Sequence, residues 1–214
     1  MGIKAVIFDL DGVIVATDEY HYLAWQRLAD EEGIEFNRVI NNRLRGVSRR
    51  RSLEILLEKA GRDYTEEEKR EMAQRKNGYY REFLKTKLTP DAVLPGVHEF
   101  LKDLRDRGVK TAVASASRNT PLIMERIGMA HSFDAVADGN DITHSKPDPE
   151  VFLLAARRLG TAPADCLVVE DAEAGVEAGL TGGMKVLAVG YASDDTRADC
   201  RAKDIASVNP DEVL

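Results

Sequence analysis

The sequence predicts an α/β protein, a doubly wound parallel sheet carrying one helical insertion, and three observations carry that reading. Apolar runs of strand length recur at residues 3–8, 110–114, 133–137, 166–169 and 185–189. Helix-like segments separate most of them, the alternation that builds a parallel sheet with helices on both faces. The alternation breaks once, because residues 34–88 carry helical patterning and no strand signal. The expected organisation is a sheet domain of residues 1–15 and 90–214 and a helical domain of residues 16–89.

Each element has its own justification. Ile3-Lys4-Ala5-Val6-Ile7-Phe8 is a nearly continuous apolar run, as a strand covered on both faces requires. Residues 18–32 are amphipathic at helical spacing, and Gly33 suits the left-handed residue that ends a helix. The following insertion is rich in Arg, Glu and Lys, with Leu53, Ile55, Leu56 and Leu57 as one buried stripe. Strand signals resume at Lys110-Thr111-Ala112-Val113-Ala114, and then at Phe133-Asp134-Ala135-Val136-Ala137. Asp148 is placed to cap a helix whose first residue is Pro149. Val168-Val169 and Lys185-Val186-Leu187-Ala188-Val189 complete the strands, with a helix at 172–180 between them. The tail after Ala192 is polar and weakly patterned.

Composition narrows the class of function. The chain has 214 residues, 43% hydrophobic and 31% charged, which suits one large globular domain or a domain with an insertion. No apolar run approaches the ~20 residues of a membrane span, and no secretory leader precedes the first strand. Met1-Gly2 is no lipidation signal, since Val6 stands where Ser or Thr is needed. Cys166 and Cys200 are isolated, so neither a disulfide framework nor a CxxC metal site is indicated. A cytoplasmic, monomeric protein that engages no membrane is expected. The net charge of −7 argues against a nucleic-acid partner, which would draw on clustered cations.

The chemistry concentrates at strand ends, where open α/β sheets form their ligand crevice. Asp9-Leu10-Asp11-Gly12-Val13 follows the first strand, and Glu170-Asp171 follows Val168-Val169. If these strands are close, four carboxylates converge. Two like charges ~4 Å apart repel by about 4 kcal/mol at an effective dielectric of ~20, so protons or a cation must intervene. Oxygen ligands without cysteine favour a hard ion, and Mg²⁺ is the usual one where phosphates react. Glu170 and Asp171 are equally suited to the positive end of the helix that follows. Ala114-Ser115-Ala116-Ser117 sits between a strand and a helix, so its hydroxyls and N–H groups either hold an anion or cap the helix. Lys146-Pro147-Asp148-Pro149 holds a lysine in a loop, either solvated or poised to neutralise a phosphoryl group.

Taken in this order and at these intervals, Asp9 to Val13, Ser115, Lys146 to Pro149 and Glu170-Asp171 resemble the four motifs of the haloacid dehalogenase superfamily of phosphotransferases. The insertion is similar to its C1-type cap on a Rossmann-like core. Thr17-Asp18-Glu19-Tyr20-His21, Gly46-Val47-Ser48-Arg49, Arg75-Lys76-Asn77 and residues 114–119 resemble the phosphosugar mutases within it. The resemblance implies Asp9 as nucleophile and Asp11 as general acid and base, with Mg²⁺ held by Asp9, Asp11 through its backbone carbonyl, Glu170 and Asp171. It implies substrate or phosphate contacts from Thr17, His21, Gly46, Arg49, Lys76, Asn77, Ser115, Ala116, Ser117 and Lys146.

The reaction so implied interconverts β-D-glucose 1-phosphate and glucose 6-phosphate through an aspartyl phosphate, with glucose 1,6-bisphosphate as intermediate and activator. The alternatives are a sugar-phosphate phosphatase of the same superfamily and a non-enzymatic receiver module. Read from residue types alone, Arg49-Arg50-Arg51 is a solvated run behind an N-cap at Ser48, and His21, one turn before Trp25, is a packed histidine. Two positions depart from the pattern of the relatives: Ala16 stands where Asp is common, and Ala172 where Ser often follows the acid pair.

Overall fold

Six strands form one sheet in the computed structural model, which describes residues 2–214. They are β1 (Ala5–Phe8), β2 (Lys110–Ala114), β3 (Ala135–Ala137), β4 (Cys166–Glu170), β5 (Lys185–Ala188) and β6 (Cys200–Arg201). All pairings are parallel, and the spatial order is β3-β2-β1-β4-β5-β6. The chain therefore leaves β1 toward one edge and returns on its other side at β4. That reversal places the crevice at the carboxyl ends of β1, β2 and β4.

Alternation along β1 supplies two cores. Val6 and Phe8 face helices α5 (Val97–Asp106) and α6 (Thr120–Arg126), where the Phe8 ring meets Phe100 and Phe133 edge-on at 5.9 Å each. Ala5 and Ile7 face α7 (Glu150–Leu159) and α8 (Glu173–Thr181) through Phe152, Ala155 and Val176. Each large side chain so buried contributes roughly 1.5–3 kcal/mol.

Residues 18–87 hold four helices and, among the described residues, no strand: α1 (Asp18–Glu32), α2 (Arg38–Asn42), α3 (Arg49–Leu57) and α4 (Glu66–Lys87). This helical cap has its own hydrophobic centre, built on Trp25, Leu28, Phe36, Leu53, Leu56 and Met72. Gly33 ends α1 at φ 66°. The long α4 opens on a capping box between Thr65 and Glu68 and has Lys85 and Lys87 in its last turn. Its far end leaves the cap: Tyr80 and Leu84 join the core built on Phe8, Leu10 and Ile14.

Several element bounds differ from the sequence reading. The first ladder begins at Ala5, not Ile3. The expected strand at 133–137 narrows to Ala135–Ala137, because the Asp134 carboxylate takes the Thr111 N–H at 2.8 Å and so occupies the place of a ladder carbonyl. The last strand expected at 185–189 stops at Ala188. Pro149 precedes its helix instead of opening it, and the Asp148 carboxylate accepts the N–H of Glu150 at 2.9 Å. Leu57 is only partly buried. The weakly patterned tail contains the two-residue β6 and the short helix α9 (Pro210–Val213), too brief to leave a periodic signal. No helix among the described residues is long and apolar enough to cross a membrane.

Candidate active site

Register brings the two acid motifs together. Phe8 pairs with Val169 across β1 and β4, so Asp9 emerges beside Glu170, and the Asp9 N–H donates to the Val169 carbonyl at 2.9 Å. Asp9, Glu170 and Asp171 each offer a carboxylate oxygen, all within 4.8 Å of one another, and all three residues are buried. Gly12 makes this approach possible: at φ 86°, a Cβ there would lie 2.2 Å from an Asp171 oxygen. Lys146 enters from the loop before α7, with its side chain 1% exposed. Its ammonium donates to Asp9, to Glu170 at 3.0 Å and to the Ala114 carbonyl at 3.3 Å.

The cluster keeps an excess of negative charge, three carboxylates against one lysine. Arg45, on the cap, comes no closer than 4.0 Å to Asp171. Burial, followed by the Asp9 charge, pushes Glu170 up to about 7, and burial with Glu170 and Asp9 holds Asp171 well above its ordinary range. Burial also raises Asp9 against the pull of Lys146. For Lys146 burial acts downward, but Asp9 and Glu170 outweigh it and hold the ammonium above its usual value. Converging hard oxygen donors with uncompensated charge fit a divalent cation such as Mg²⁺. Glu170 serves both readings of its motif: one oxygen faces Lys146, while the other accepts the Ala172 N–H at 3.2 Å ahead of α8.

Asp11 stands apart from that group. Its Oδ1 accepts from the Thr17 hydroxyl and from Tyr80 Oη at 3.4 Å, and lies 3.9 Å from His21 Nε2. Burial and the neighbouring Asp9 charge push its carboxyl up to about 7. A carboxyl with that pKa, free of the cation cluster, can hold or release a proton near neutrality. Thr17 is the N-cap of α1 but makes no side-chain cap, because its hydroxyl is committed to Asp11. It is fully buried behind Asp11 and does not line the cavity. His21 Nδ1 meets Lys76 Nζ at 2.9 Å, so the ring sits between a buried lysine and Asp11. Burial, then Lys76 and two arginines, keep His21 well below its ordinary pKa. Lys76 is itself held well below the lysine range by burial and Arg49, while its Nζ sits 4.8 Å from the ring centres of both Trp25 and Tyr80.

The turn after β2 caps itself with its own hydroxyls. Ser115 Oγ accepts the Ser117 N–H at 3.1 Å and Ser117 Oγ accepts the Asn119 N–H at 3.2 Å, which leaves both hydroxyl protons to donate. The structure brings Asp9, Asp11, His21, Gly46, Arg49, Lys76, Asn77, Ser115, Ala116 and Ser117 around one cavity of about 520 Å³, with Asp171 at its wall. Lys146 and Glu170 lie just behind that wall, through Asp9.

The arginine run resolves into distinct roles. Arg50 and Arg51 pair with Glu54, and Arg50 also with Glu66, whereas half-buried Arg49 has no acidic partner among the described residues. Burial and the facing Arg118 depress the Arg49 guanidinium. Gly46, at φ 68°, packs the cap loop against the core so closely that a Cβ would lie 2.7 Å from that of Ala172. Ala16 is exposed, and its N–H donates to the Ala92 carbonyl at 2.9 Å.

Arg118, Asn119, Tyr80 and Arg45 are among the cavity residues that escaped the sequence reading. Arg118 and Asn119 sit within the quoted turn segment without an assigned role. Tyr80 lies one turn after Lys76, a spacing that places it on the same helix face. Arg45 had no local signal at all: within the cap it bonds Asp18 at 2.6 Å, and it stacks 3.5 Å over the Tyr191 ring, a contact that exists only when cap meets core.

Comparison with known proteins follows the same lines. Residues 3–183 match the model of a hydrolase family described as haloacid dehalogenase-like hydrolase. The chain is 46% identical over 198 residues to the β-phosphoglucomutase of Bacillus subtilis strain 168, spanning 92% of this chain and 87% of that protein. It is 31% identical over 215 residues to a phosphorylated carbohydrates phosphatase of Thermotoga maritima, spanning 99% of this chain and 96% of that one. It superposes on the crystal structure of β-phosphoglucomutase from Clostridium difficile with a TM-score of 0.91 at 36% identity, covering 99% of this chain and 95% of that one.

Proposed function

The chain is an enzyme of the haloacid dehalogenase-like hydrolase family, and from that premise we propose that it is a phosphosugar mutase interconverting β-D-glucose 1-phosphate and glucose 6-phosphate. One observation carries the reading. Arg49, with no acidic partner among the described residues and facing Arg118, lines the same cavity as Asp9, Asp11 and Asp171. A mutase substrate keeps a phosphate at one end while reacting at the other, so its cavity needs a second anion site away from the nucleophile. A guanidinium with no acidic partner, whose donors match phosphate bidentately, is suited to that task. Similarity to the Bacillus and Clostridium mutases supports the same conclusion.

The proposed core comprises residues 1–15 and 90–214, and the proposed cap residues 16–89. Bound glucose 1,6-bisphosphate phosphorylates Asp9: an Asp9 oxygen–phosphorus bond forms as the C1 oxygen–phosphorus bond breaks, and Asp11 passes its proton to the departing sugar oxygen, leaving glucose 6-phosphate. Ionised Asp11 then accepts the proton of the free 6-hydroxyl of an incoming β-glucose 1-phosphate, as that oxygen takes the phosphoryl group from Asp9. Glucose 1,6-bisphosphate is thereby formed again, and it turns end for end before the next transfer to Asp9. Mg²⁺ held by Asp9, the Asp11 backbone carbonyl, Glu170 and Asp171 would supply positive charge to the phosphoryl oxygens. Lys146 supplies the protein's own cation there, and Ser115 and Ser117 donate hydroxyl hydrogen bonds. Thr17 and His21 act through Asp11, whereas Lys76, Asn77, Gly46 and Ala116 shape the sugar site. The cap favours transfer to sugar over water by covering the cavity.

A phosphorus NMR assay with β-glucose 1-phosphate, Mg²⁺ and catalytic bisphosphate tests the proposal. Glucose 6-phosphate is expected to form much faster than free phosphate. Phosphate release outpacing isomerisation would favour the phosphatase, the reading that the Thermotoga relative supports. Asp9→Asn is expected to remove turnover by at least about 10⁴-fold, and a variant retaining turnover would overturn Asp9 as nucleophile.

A further inference from the structure

We propose that Arg81, which does not touch the cavity, is a positioning residue that sets the hydrogen-bond polarity of Asn77 and so makes this part of the cap a donor surface toward the sugar phosphate. The proposal deepens the mutase reading and rests on it.

Asn77 and Arg81 are four residues apart on α4 and therefore share a helix face. That face meets the turn at Asn119, which is 3% exposed. Arg81 Nη1 donates to Asn119 Oδ1 at 3.0 Å, and Asn119 Nδ2 donates to Asn77 Oδ1 at 2.9 Å. Asn119 is held a third way, by its backbone N–H on Ser117 Oγ at 3.2 Å.

The direction of this chain follows from chemistry. A carboxamide has one acceptor end and one donor end and can face either way, but a guanidinium has donors only. Arg81 therefore obliges Asn119 to present oxygen to it and the NH₂ group to Asn77. That NH₂ takes up the Asn77 oxygen, so Asn77 turns its own NH₂ elsewhere. The Asn77 NH₂ has no partner among the described residues, and Asn77 lines the cavity, whereas Arg81 does not. Without Arg81 both amides are free to reverse, and Asn77 would offer a carbonyl oxygen to a ligand rich in anionic and hydroxyl oxygens. Arg81 also adds its charge to that of Arg118 on Arg49, so a plain electrostatic role is the competing explanation.

A double-mutant cycle on the full chain separates the two. KM and kcat for β-glucose 1-phosphate are measured with saturating Mg²⁺ and bisphosphate in the parent, Arg81→Met, Arg81→Lys, Asn119→Ala and the Arg81→Met/Asn119→Ala double variant. Arg81→Met is expected to raise KM about 10-fold, the scale of one hydrogen bond to a charged ligand, with kcat falling by less than about 3-fold. Arg81→Lys, still donor-only, is expected to stay within about 3-fold of the parent. In the Asn119→Ala background, Arg81→Met is expected to add less than about 2-fold, because its target is gone. If Arg81→Met multiplies KM equally in both backgrounds, or leaves KM unchanged in the parent background, the relay is wrong. A parent chain that forms no glucose 6-phosphate overturns the mutase reading instead, so the two failures are distinguishable.

Discussion

Two clusters of opposite charge meet at one cavity, and they are built differently. The acidic cluster of Asp9, Glu170 and Asp171 hangs on adjacent strands whose register is set by backbone hydrogen bonds. The basic cluster draws Arg49 from α3, Lys76 from α4 and Arg118 from the turn after β2, and it exists only where cap meets core. One is permanent and the other conditional. Each also carries an excess of its own sign, since the three carboxylates are met by Lys146, on Asp9 and Glu170, and by Arg45 at 4.0 Å from Asp171, while Arg49 has no acidic partner among the described residues. Such imbalance in a folded protein points to ligands: a cation for the first cluster, an anion for the second. A sugar carrying phosphate at one end and reacting at the other meets both needs.

The contrast can be attacked at either end. The largest expected effect is at the acidic cluster, where Lys146→Met leaves three buried carboxylates without their lysine. Removing one partner of a buried charge group costs about 3–5 kcal/mol, so metal-free urea unfolding should fall by that amount, and Mg²⁺ should restore part of it. A loss below about 1 kcal/mol would mean the carboxylates are protonated at no cost and the cluster has no need of a cation.

Next comes Arg49→Ala. It should raise KM for β-glucose 1-phosphate isomerisation about 10- to 100-fold, the range for losing a charge-assisted hydrogen bond. Hydrolysis of p-nitrophenyl phosphate, which has no second charged end, should change by less than about 3-fold. Equal loss on both substrates would erase the division of labour between the clusters.

The smallest effect is at Lys76, buried and held below the lysine range. A lysine whose folded pKa lies below its unfolded value binds fewer protons when folded, so it costs stability at neutral pH, and the cost fades as pH rises toward about 10.4. Lys76→Met should therefore raise stability by about 1 kcal/mol at pH 7, with a smaller gain at pH 9.5 in thermal unfolding, while sugar-phosphate turnover falls. No gain at pH 7 would mean that the Trp25 and Tyr80 rings already offset the buried ammonium.

The same contrast explains what was legible beforehand. The acidic residues sit at the ends of apolar runs, and a parallel sheet sends those ends to one edge, so Asp9, Asp11, Glu170 and Asp171 could be read as a group from local pattern and spacing. Residue types alone could not single out Arg49 from Arg50 and Arg51, because that depends on which guanidiniums find glutamates at 54 and 66. Resemblance to known phosphotransferases chose it. Thr17 was read as a substrate contact and lies instead behind Asp11, a matter of which way one hydroxyl turns at a helix start.

By itself, then, the sequence determined the parallel sheet, the helical insertion and the acid pairs, because strand and helix periods and turn residues act over a few positions. Tertiary structure alone decided that Arg45 reaches Tyr191 and that Arg81 reaches Asn119. Those outcomes depend on how cap and core meet across sequence separations that no local pattern records.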